Sequence, residues 1–262
     1  MIGKPFVEAW RYLKKHPKIL VPKFIYLAIT VYIGFLLQKH FKIFEAFFES
    51  EVVDPLLVPA QATNSLIYLG LYGLFLFILG VCFSAVIYGL ISDILNKNKC
   101  LLSTCKAHLK AFFKPVLILR LWMGVVYAIA AILSLIPSML LSALGVANVS
   151  LPAFLITASG LYLLISFGFF FRYPILILEN KKPREALRES YYFFKREPRY
   201  VILCALALVL VSFLATFLNG FIATINVFVF QAVSFLVNII VGIWADIFLF
   251  SAYHFRTKKK KK

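Results

Sequence analysis

The chain has 262 residues, of which 62% are hydrophobic and 15% are charged, and its formal net charge is +17. A soluble domain is closer to half apolar, with about a quarter of its residues charged. This composition therefore excludes an ordinary soluble domain and indicates that lipid covers part of the surface. The first twenty residues carry five basic side chains where the apolar core of a signal peptide would lie, so we expect no cleavable signal.

Six segments, taken in chain order, are apolar over the roughly twenty residues that a spanning helix needs. They are approximately 19–38, 65–95, 115–145, 152–178, 200–219 and 224–255. The sequence therefore predicts an all-α fold, a polytopic membrane helical bundle of about six transmembrane helices. We expect residues 1–257 to form a single transmembrane domain, followed by a disordered basic tail at 258–262.

Lysines and arginines are concentrated in alternate connections of this six-span arrangement. Of the 28 basic residues, 26 lie in the segments 1–23, 96–120, 172–199 and from Arg256 onward. Because Lys and Arg collect in cytoplasmic loops, this pattern predicts a multi-pass protein of the cell membrane with both termini in the cytoplasm. The same charges favour anionic lipid headgroups at the cytoplasmic face as partners, and we expect no nucleic-acid partner.

A short amphipathic stretch precedes each outward-going span. Each stretch places aromatic and aliphatic residues opposite lysines and arginines, which is typical of a helix that lies along the headgroups. The three stretches are near 6–15, 101–114 and 183–197. They indicate a repeat of one interfacial helix plus a two-span hairpin. The three units would be 1–95, 96–178 and 179–257. A further amphipathic segment, about 41–49, is expected on the outer surface.

Ionisable groups inside the membrane are costly and therefore functional candidates. Asp246 and Arg172 are predicted at similar depths, roughly 15 Å inside the cytoplasmic surface. We expect them to approach each other, directly or through water, with Arg120 as the competing partner. Gln231 and Asn238 lie on nearly the same face of the sixth span as Asp246. Three interpretations stay open for the charged pair: an ion pair that fastens helices together, a relay for a proton or substrate, and a charge that snorkels to water. The polar stripe with Gln231 and Asn238 either packs against other helices or lines a water-filled path.

Other reactive residues form no recognisable catalytic pattern. Cys100, Cys105 and His108 have the residue types of a metal site, but no fourth ligand or CxxC pair accompanies them. Asp93 lies close to the interface and is interpreted as the end of its span. There is no G-x-S-x-G, no phosphate-binding glycine loop and no H-E-x-x-H. We therefore assign no catalytic, cofactor-binding or metal-binding residue and expect no cofactor.

One stretch matches a pattern known from prokaryotic membrane proteins. It consists of an apolar run that contains a proline, then a glutamate, an alanine, a serine and an aromatic-basic ending. In this chain these are Tyr173 to Leu178 with Pro174, then Glu179, Ala186, Ser190 and Phe194-Lys195-Arg196. The stretch resembles the membrane domain attached to some glycerophosphoryl diester phosphodiesterases, and related uncharacterised archaeal and bacterial membrane proteins.

The resemblance implies a membrane-resident, non-catalytic domain, because the phosphodiesterase chemistry of those proteins resides in a separate soluble domain. The matching residues are then expected to be structural. Ala186 and Ser190 are small and four positions apart, so they permit close helix approach, and Pro174 belongs to the apolar run. Glu179 can interact with the positive end of the helix that follows it. Asn180 departs from the pattern, which is expected to have glycine there.

Three functions are weighed. The first is a non-enzymatic membrane protein that acts on lipids, on a partner membrane protein or on a second copy of itself. The second is a transporter or permease in which Asp246 and Arg172 line a path. The third is a membrane-embedded lipid-processing enzyme with a site near Glu179, His108 or Asp93. A polar cavity that reaches the midplane would favour transport, a lateral groove between spans would favour lipid binding, and clustered Asp and His at the cytoplasmic rim would favour an enzyme.

Overall fold

The structure is a computed structural model that describes residues 2–41, 60–97, 99–143, 147–223 and 227–260. This part of the chain forms nine α-helices and no strand. They are α1 (Gly3–Lys15), α2 (Leu20–Phe41), α3 (Ala60–Lys97), α4 (Cys105–Ala143), α5 (Ala147–Gly168), α6 (Arg172–Leu178), α7 (Pro183–Arg196), α8 (Pro198–Ala223) and α9 (Val227–Lys260). The amphipathic segment predicted at about 41–49 lies, apart from Phe41, outside the described residues.

Six helical segments in the described ranges are long and apolar enough to cross a membrane. They are Pro17–Leu37, Leu69–Asn96, Leu102–Ala143, Val149–Leu178, Pro198–Gly220 and Val233–Lys258. The prediction of an all-α, polytopic bundle is therefore confirmed, and the chain is a multi-pass membrane protein.

The second amphipathic stretch, 101–114, is not a separate helix. After a short 3₁₀ turn at Leu102–Thr104, α4 runs from Cys105 to Ala143 without interruption. Its polar beginning and its apolar span form one helix of 39 residues. The predicted boundary at Pro115 is wrong: a proline inside a helix removes one bond and crowds the carbonyl four residues back, yet α4 continues through this position. Of the three predicted interfacial helices, only α1 and α7 are separate.

The fourth predicted span, 152–178, is broken near its end. Helix α5 ends at Gly168 and α6 begins at Arg172. Pro174 lacks an N–H and cannot donate to the carbonyl four residues back, which weakens the helix across this point. The break places Arg172 at the first position of the short helix α6.

The buried core lies at one end of the bundle. This basic end is formed by α1, the last turns of α3, α6, α7, the start of α8 and residues 243–260 of α9. Helix α1 runs along α9 there: Phe6 and Trp10 place their rings 4.9 and 5.5 Å from that of Trp244. At the start of α1, the Lys4 ammonium lies 5.4 Å from the Phe255 ring. The amphipathic helix is thus part of the core.

Far from the basic end, α4, α5 and α8 expose large apolar side chains. Residues that are each more than 60% exposed include Ile132, Met139, Ile156, Val209 and Phe217. Apolar surface of this extent is typical of a chain whose surroundings are lipid or another protein.

The lysine run differs from the expected disordered tail. Helix α9 continues to Lys260, so the run begins as helix. Only Lys261 and Lys262 lie beyond the described residues at this end.

Candidate polar site and lateral groove

Four charged residues lie near one another inside the bundle, each on a different helix. Lys23 lies in the first turn of α2, Arg120 within α4, Arg172 at the start of α6 and Asp246 within α9. Lys23 lies six residues inside its span and Arg172 six residues from the end of its own, which is roughly 9 Å along a helix. All four are partly buried. We call this group the polar site.

Arg120 is held against α3. Its Nη2 donates a hydrogen bond of 2.6 Å to the Ser84 hydroxyl. Its Nη1 lies 3.0 Å from the point where Gly80 would carry a Cβ, and the Tyr26 hydroxyl lies 3.6 Å from the same point. Glycine at position 80 therefore lets the guanidinium lie directly against the backbone of α3.

The Lys23 side chain packs on α9 one helical turn from Asp246. The Lys23 ammonium lies 3.8 Å from the point where Gly242 would carry a Cβ, and Asp246 is one helical turn further on the same face. Asp246 lies deep in the bundle, where Lys23 and Arg120 are the cations that act on its carboxylate.

Arg172 completes the polar site from the side of α6. Its Nη1 donates to the Phe169 carbonyl at 2.9 Å, and its guanidinium carbon lies 5.0 Å from the centre of the Tyr173 ring. That ring is 4.9 Å from Tyr88, which is buried and lies within the fields of Asp246 and both arginines. The Nε of Arg172 is buried and has no hydrogen-bond partner among the described residues.

Three of the five residues predicted to form the polar network lie near one another in the structure. Asp246, Arg120 and Arg172 come together, and Arg120 acts on the carboxylate more strongly than Arg172 does. Within the described residues Asp246 makes no direct ion pair with either. Asn238 is exposed on α9, and the side chain of Gln231 lies outside the described part of the structure.

Sequence reasoning missed Lys23 as a member of the polar site. In the sequence Lys23 belongs to the basic segment 1–23, which indicates the cytoplasmic side of the membrane. Its position six residues inside an apolar span was the available signal.

A lateral groove separates the middle parts of α4 and α5. It has a volume of about 590 Å³ and opens sideways. Small side chains form much of its lining, with two tyrosines whose rings stack at 5.4 Å. The lining residues are Tyr127, Ala130, Ala131, Ala158, Ser159, Tyr162 and Leu163. We call this feature the α4–α5 groove.

Neither feature can be assigned through a relative. Comparisons with protein families, with curated proteins and with solved structures found nothing that matches this chain.

The four residues from the family pattern lie at the basic end. Pro174 and Ala186 are buried. The Ser190 hydroxyl accepts from the Phe171 N–H at 3.2 Å and donates to the Gly168 carbonyl at 3.3 Å. The interaction expected for Glu179 was with the start of α7, and the structure shows a different partner: its carboxylate accepts a hydrogen bond of 2.5 Å from the Tyr253 hydroxyl.

An Asp–His pair also lies at the basic end. The Nε2 of His108 is 2.7 Å from a carboxylate oxygen of Asp93, and both side chains are 14% exposed. The pair fastens α4 to α3, and the imidazole packs directly on Gly89. Among the described residues, no group of three or more His, Cys, Asp or Glu side chains could hold a metal ion.

The Cys100 thiol is near this pair. Burial is the main cause that raises its pKa, and the neighbouring Cys105 and Asp93 add to the effect while Lys18 opposes it. A thiol with a raised pKa is a poor nucleophile at neutral pH. The raised pKa therefore does not favour Cys100 as a nucleophile for the Asp–His pair.

Proposed function

We propose that this chain is a non-enzymatic multi-pass protein of the cell membrane that binds lipid, with an acyl chain in the α4–α5 groove. The observation that carries the proposal is the groove itself. Its volume of about 590 Å³ falls within the usual range of about 300–1,000 Å³ for small-molecule sites. It lies in the middle of two spans and opens sideways, so an acyl chain is the occupant that its surroundings supply.

The proposal includes an orientation. The basic end would face the cytoplasm, since basic residues collect on that side of a membrane. Anionic headgroups of that leaflet would then lie beside α1 and α7. The resemblance to the membrane domain of glycerophosphoryl diester phosphodiesterases agrees with a membrane-resident, non-catalytic role and stays a proposal.

Filling the groove tests the proposal. Ala158→Trp places a large ring among the lining residues, whereas Ala128→Trp alters an exposed position of α4 outside the lining. After gentle extraction, native mass spectrometry should find lipid retained by the wild type and by Ala128→Trp, and lost from Ala158→Trp. Equal retention by all three proteins would refute binding in the groove.

A transporter is the second candidate, and the polar site is the observation that favours it. Charges inside a bundle commonly mark substrate or ion pathways. Asn238 is exposed on α9. It therefore does not continue the polar site as a path toward the other end of the bundle. If proteoliposomes that contain the protein take up a labelled anion and protein-free liposomes do not, this candidate is favoured over lipid binding alone.

A further inference from the structure

We propose that the polar site binds a phosphate group. This is a second site, distinct from the α4–α5 groove, and a phosphate could bind here whether or not lipid occupies that groove. The phosphate could belong to a lipid headgroup or to a free phosphate compound, and the experiment below separates these sources.

Charge imbalance is the first observation. The polar site contains three cations, Lys23, Arg120 and Arg172, and a single carboxylate, that of Asp246. Two positive charges therefore lack compensation by the described residues of the site. Within a membrane span an uncompensated charge is costly, so a ligand with one or two negative charges would be strongly favoured.

The other described carboxylates do not supply that compensation. Of the six, five have partners elsewhere: Asp93 with His108, Glu179 with Tyr253, Glu185 with the backbone of Lys182, Glu189 with Lys181 and Glu197 with Arg256. The sixth, Glu8, belongs to a different cavity, formed by α1 and the end of α3. Among the described residues, then, Asp246 is the one carboxylate at the polar site, and an anionic ligand is the compensation that we infer.

Donor geometry is the second observation. Guanidinium groups present planar, forked donors that match phosphate oxygens, and charge-assisted bonds of this kind are strong. Arg120 uses Nη2 on Ser84, and Arg172 uses Nη1 on a backbone carbonyl. Both hold additional N–H groups, and the buried Nε of Arg172 has no partner in the described structure. The Lys23 ammonium supplies further donors.

Accessibility is the third observation. Arg120, Arg172 and Lys23 keep part of their surface exposed, whereas the Asp246 carboxyl group lies deeper in the bundle. Lys23 and Arg172 lie about 9 Å inside the basic end, within reach of a headgroup phosphate that dips below the interface. Tyr127 of the groove lies two turns beyond Arg120 on nearly the same side of α4, so one lipid could reach both sites.

The charge pattern predicts opposite effects for two substitutions. Arg120→Gln removes a donor and should weaken phosphate binding about tenfold. Asp246→Asn removes the only negative charge of the site and should tighten binding several-fold, because the carboxylate competes with the ligand for the same cations. Arg199→Gln changes an exposed arginine at the start of α8 and should leave binding unchanged.

Two arms of one experiment test the proposal with the full chain. In the first, inorganic phosphate is titrated against protein in a neutral detergent, and binding is read from the rise in the thermal unfolding midpoint, with chloride at equal ionic strength as reference. In the second, the protein is placed in nanodiscs of phosphatidylcholine with or without phosphatidic acid, and native mass spectrometry counts bound phosphatidic acid.

Binding in either arm, with the predicted order of Asp246→Asn, wild type and Arg120→Gln, supports the site. Binding of inorganic phosphate identifies a free anion as sufficient, and binding of phosphatidic acid alone identifies a headgroup. Absence of binding in both arms overturns the proposal. So does a weaker response of folded Asp246→Asn than of the wild type. If Arg120→Gln does not fold, Arg172→Gln takes its place.

Discussion

The hydroxyl of Ser190 accepts a hydrogen bond from the backbone N–H of Phe171 at 3.2 Å and so joins α7 to the break between α5 and α6. Ser190 is 2% exposed, so water cannot replace this acceptor. The same hydroxyl donates to the Gly168 carbonyl on the other side of the break. One small side chain thus satisfies backbone groups that the interrupted helix leaves free.

Ser190→Ala should destabilise the protein by about 1–3 kcal/mol, because the Phe171 N–H would remain buried without an acceptor. The thermal unfolding midpoint in detergent measures the effect. Ser142→Ala, at an exposed position of α4, is the matched control and should change little. Equal midpoints for Ser190→Ala and the control would mean that the hydroxyl does not support the break.

Asn180 carries the one positive φ angle found among non-glycine residues of the described chain, at 51°. Asparagine tolerates this left-handed conformation, and glycine adopts it freely. Asn180→Gly should therefore leave the midpoint unchanged or raise it. Asn180→Val should lower stability by about 1–2 kcal/mol, because a β-branched residue is strained there. A harmless Asn180→Val would contradict the prediction.

Hydropathy and charge predict much of this fold, because the lipid bilayer restricts which segments can span it. A span must be apolar over about twenty residues, so all six appear in the sequence without any knowledge of packing. Pro174 marks a weak point of the fourth span in the sequence, but the contact with Ser190, nineteen positions after Phe171, is a tertiary feature that no local pattern shows. The continuity of α4 through Pro115 likewise depends on tertiary context.

The candidate site was predictable only in part. Asp246, Arg120 and Arg172 stand out because they are charged within apolar runs. Which arginine acts on Asp246 depends on helix rotation, which periodicity does not fix when a span is apolar on every face. The sequence does not distinguish Lys23 from the other basic residues near it, since a lysine near the end of a span can equally well reach water.

The ion pair between Glu197 and Arg256 fastens the end of α9 to the junction of α7 and α8. The Nη2 of Arg256 lies 2.6 Å from a Glu197 carboxylate oxygen, and the two side chains are 21% and 18% exposed. A double-mutant cycle with Glu197→Gln and Arg256→Gln should give a coupling energy of about 0.5–1 kcal/mol, near the upper end for partly exposed pairs. Strictly additive effects on unfolding would show that the pair is not coupled.

Cys100 should react slowly with maleimide near neutral pH. Its raised pKa, caused mainly by burial, lowers the thiolate fraction at a given pH below that of a free cysteine. In a chain with Cys82→Ala, Cys105→Ala and Cys204→Ala, the labelling rate should keep rising at pH values where an exposed thiol has levelled off.

The matched control for this labelling keeps the same background and moves the thiol by one residue. Lys99→Cys with Cys100→Ala places the cysteine at an exposed position. Its labelling rate should be higher at pH 7 and should level off earlier. Identical pH profiles for the two thiols would show that burial does not protect Cys100.

Close packing of α3 on α4 makes Gly89 sensitive to a single methyl group. A Cβ at this position would overlap the Cβ, Cγ and Nδ1 atoms of His108. Since His108 is also held by Asp93 at 2.7 Å, the ring cannot move aside without lengthening that contact. Gly89→Ala should therefore cost about 1–3 kcal/mol, the usual range for overpacking.

Gly124→Ala separates this overlap from the general effect of replacing a helical glycine. Gly124 lies within α4, and its added Cβ would meet no atom within 4 Å. This control should gain about 0.5–1 kcal/mol from helix propensity alone. The two thermal midpoints should thus move in opposite directions, with Gly89→Ala below the wild type. If both rise, the helices can separate enough to admit the methyl group, and the Asp93–His108 contact does not depend on glycine at position 89.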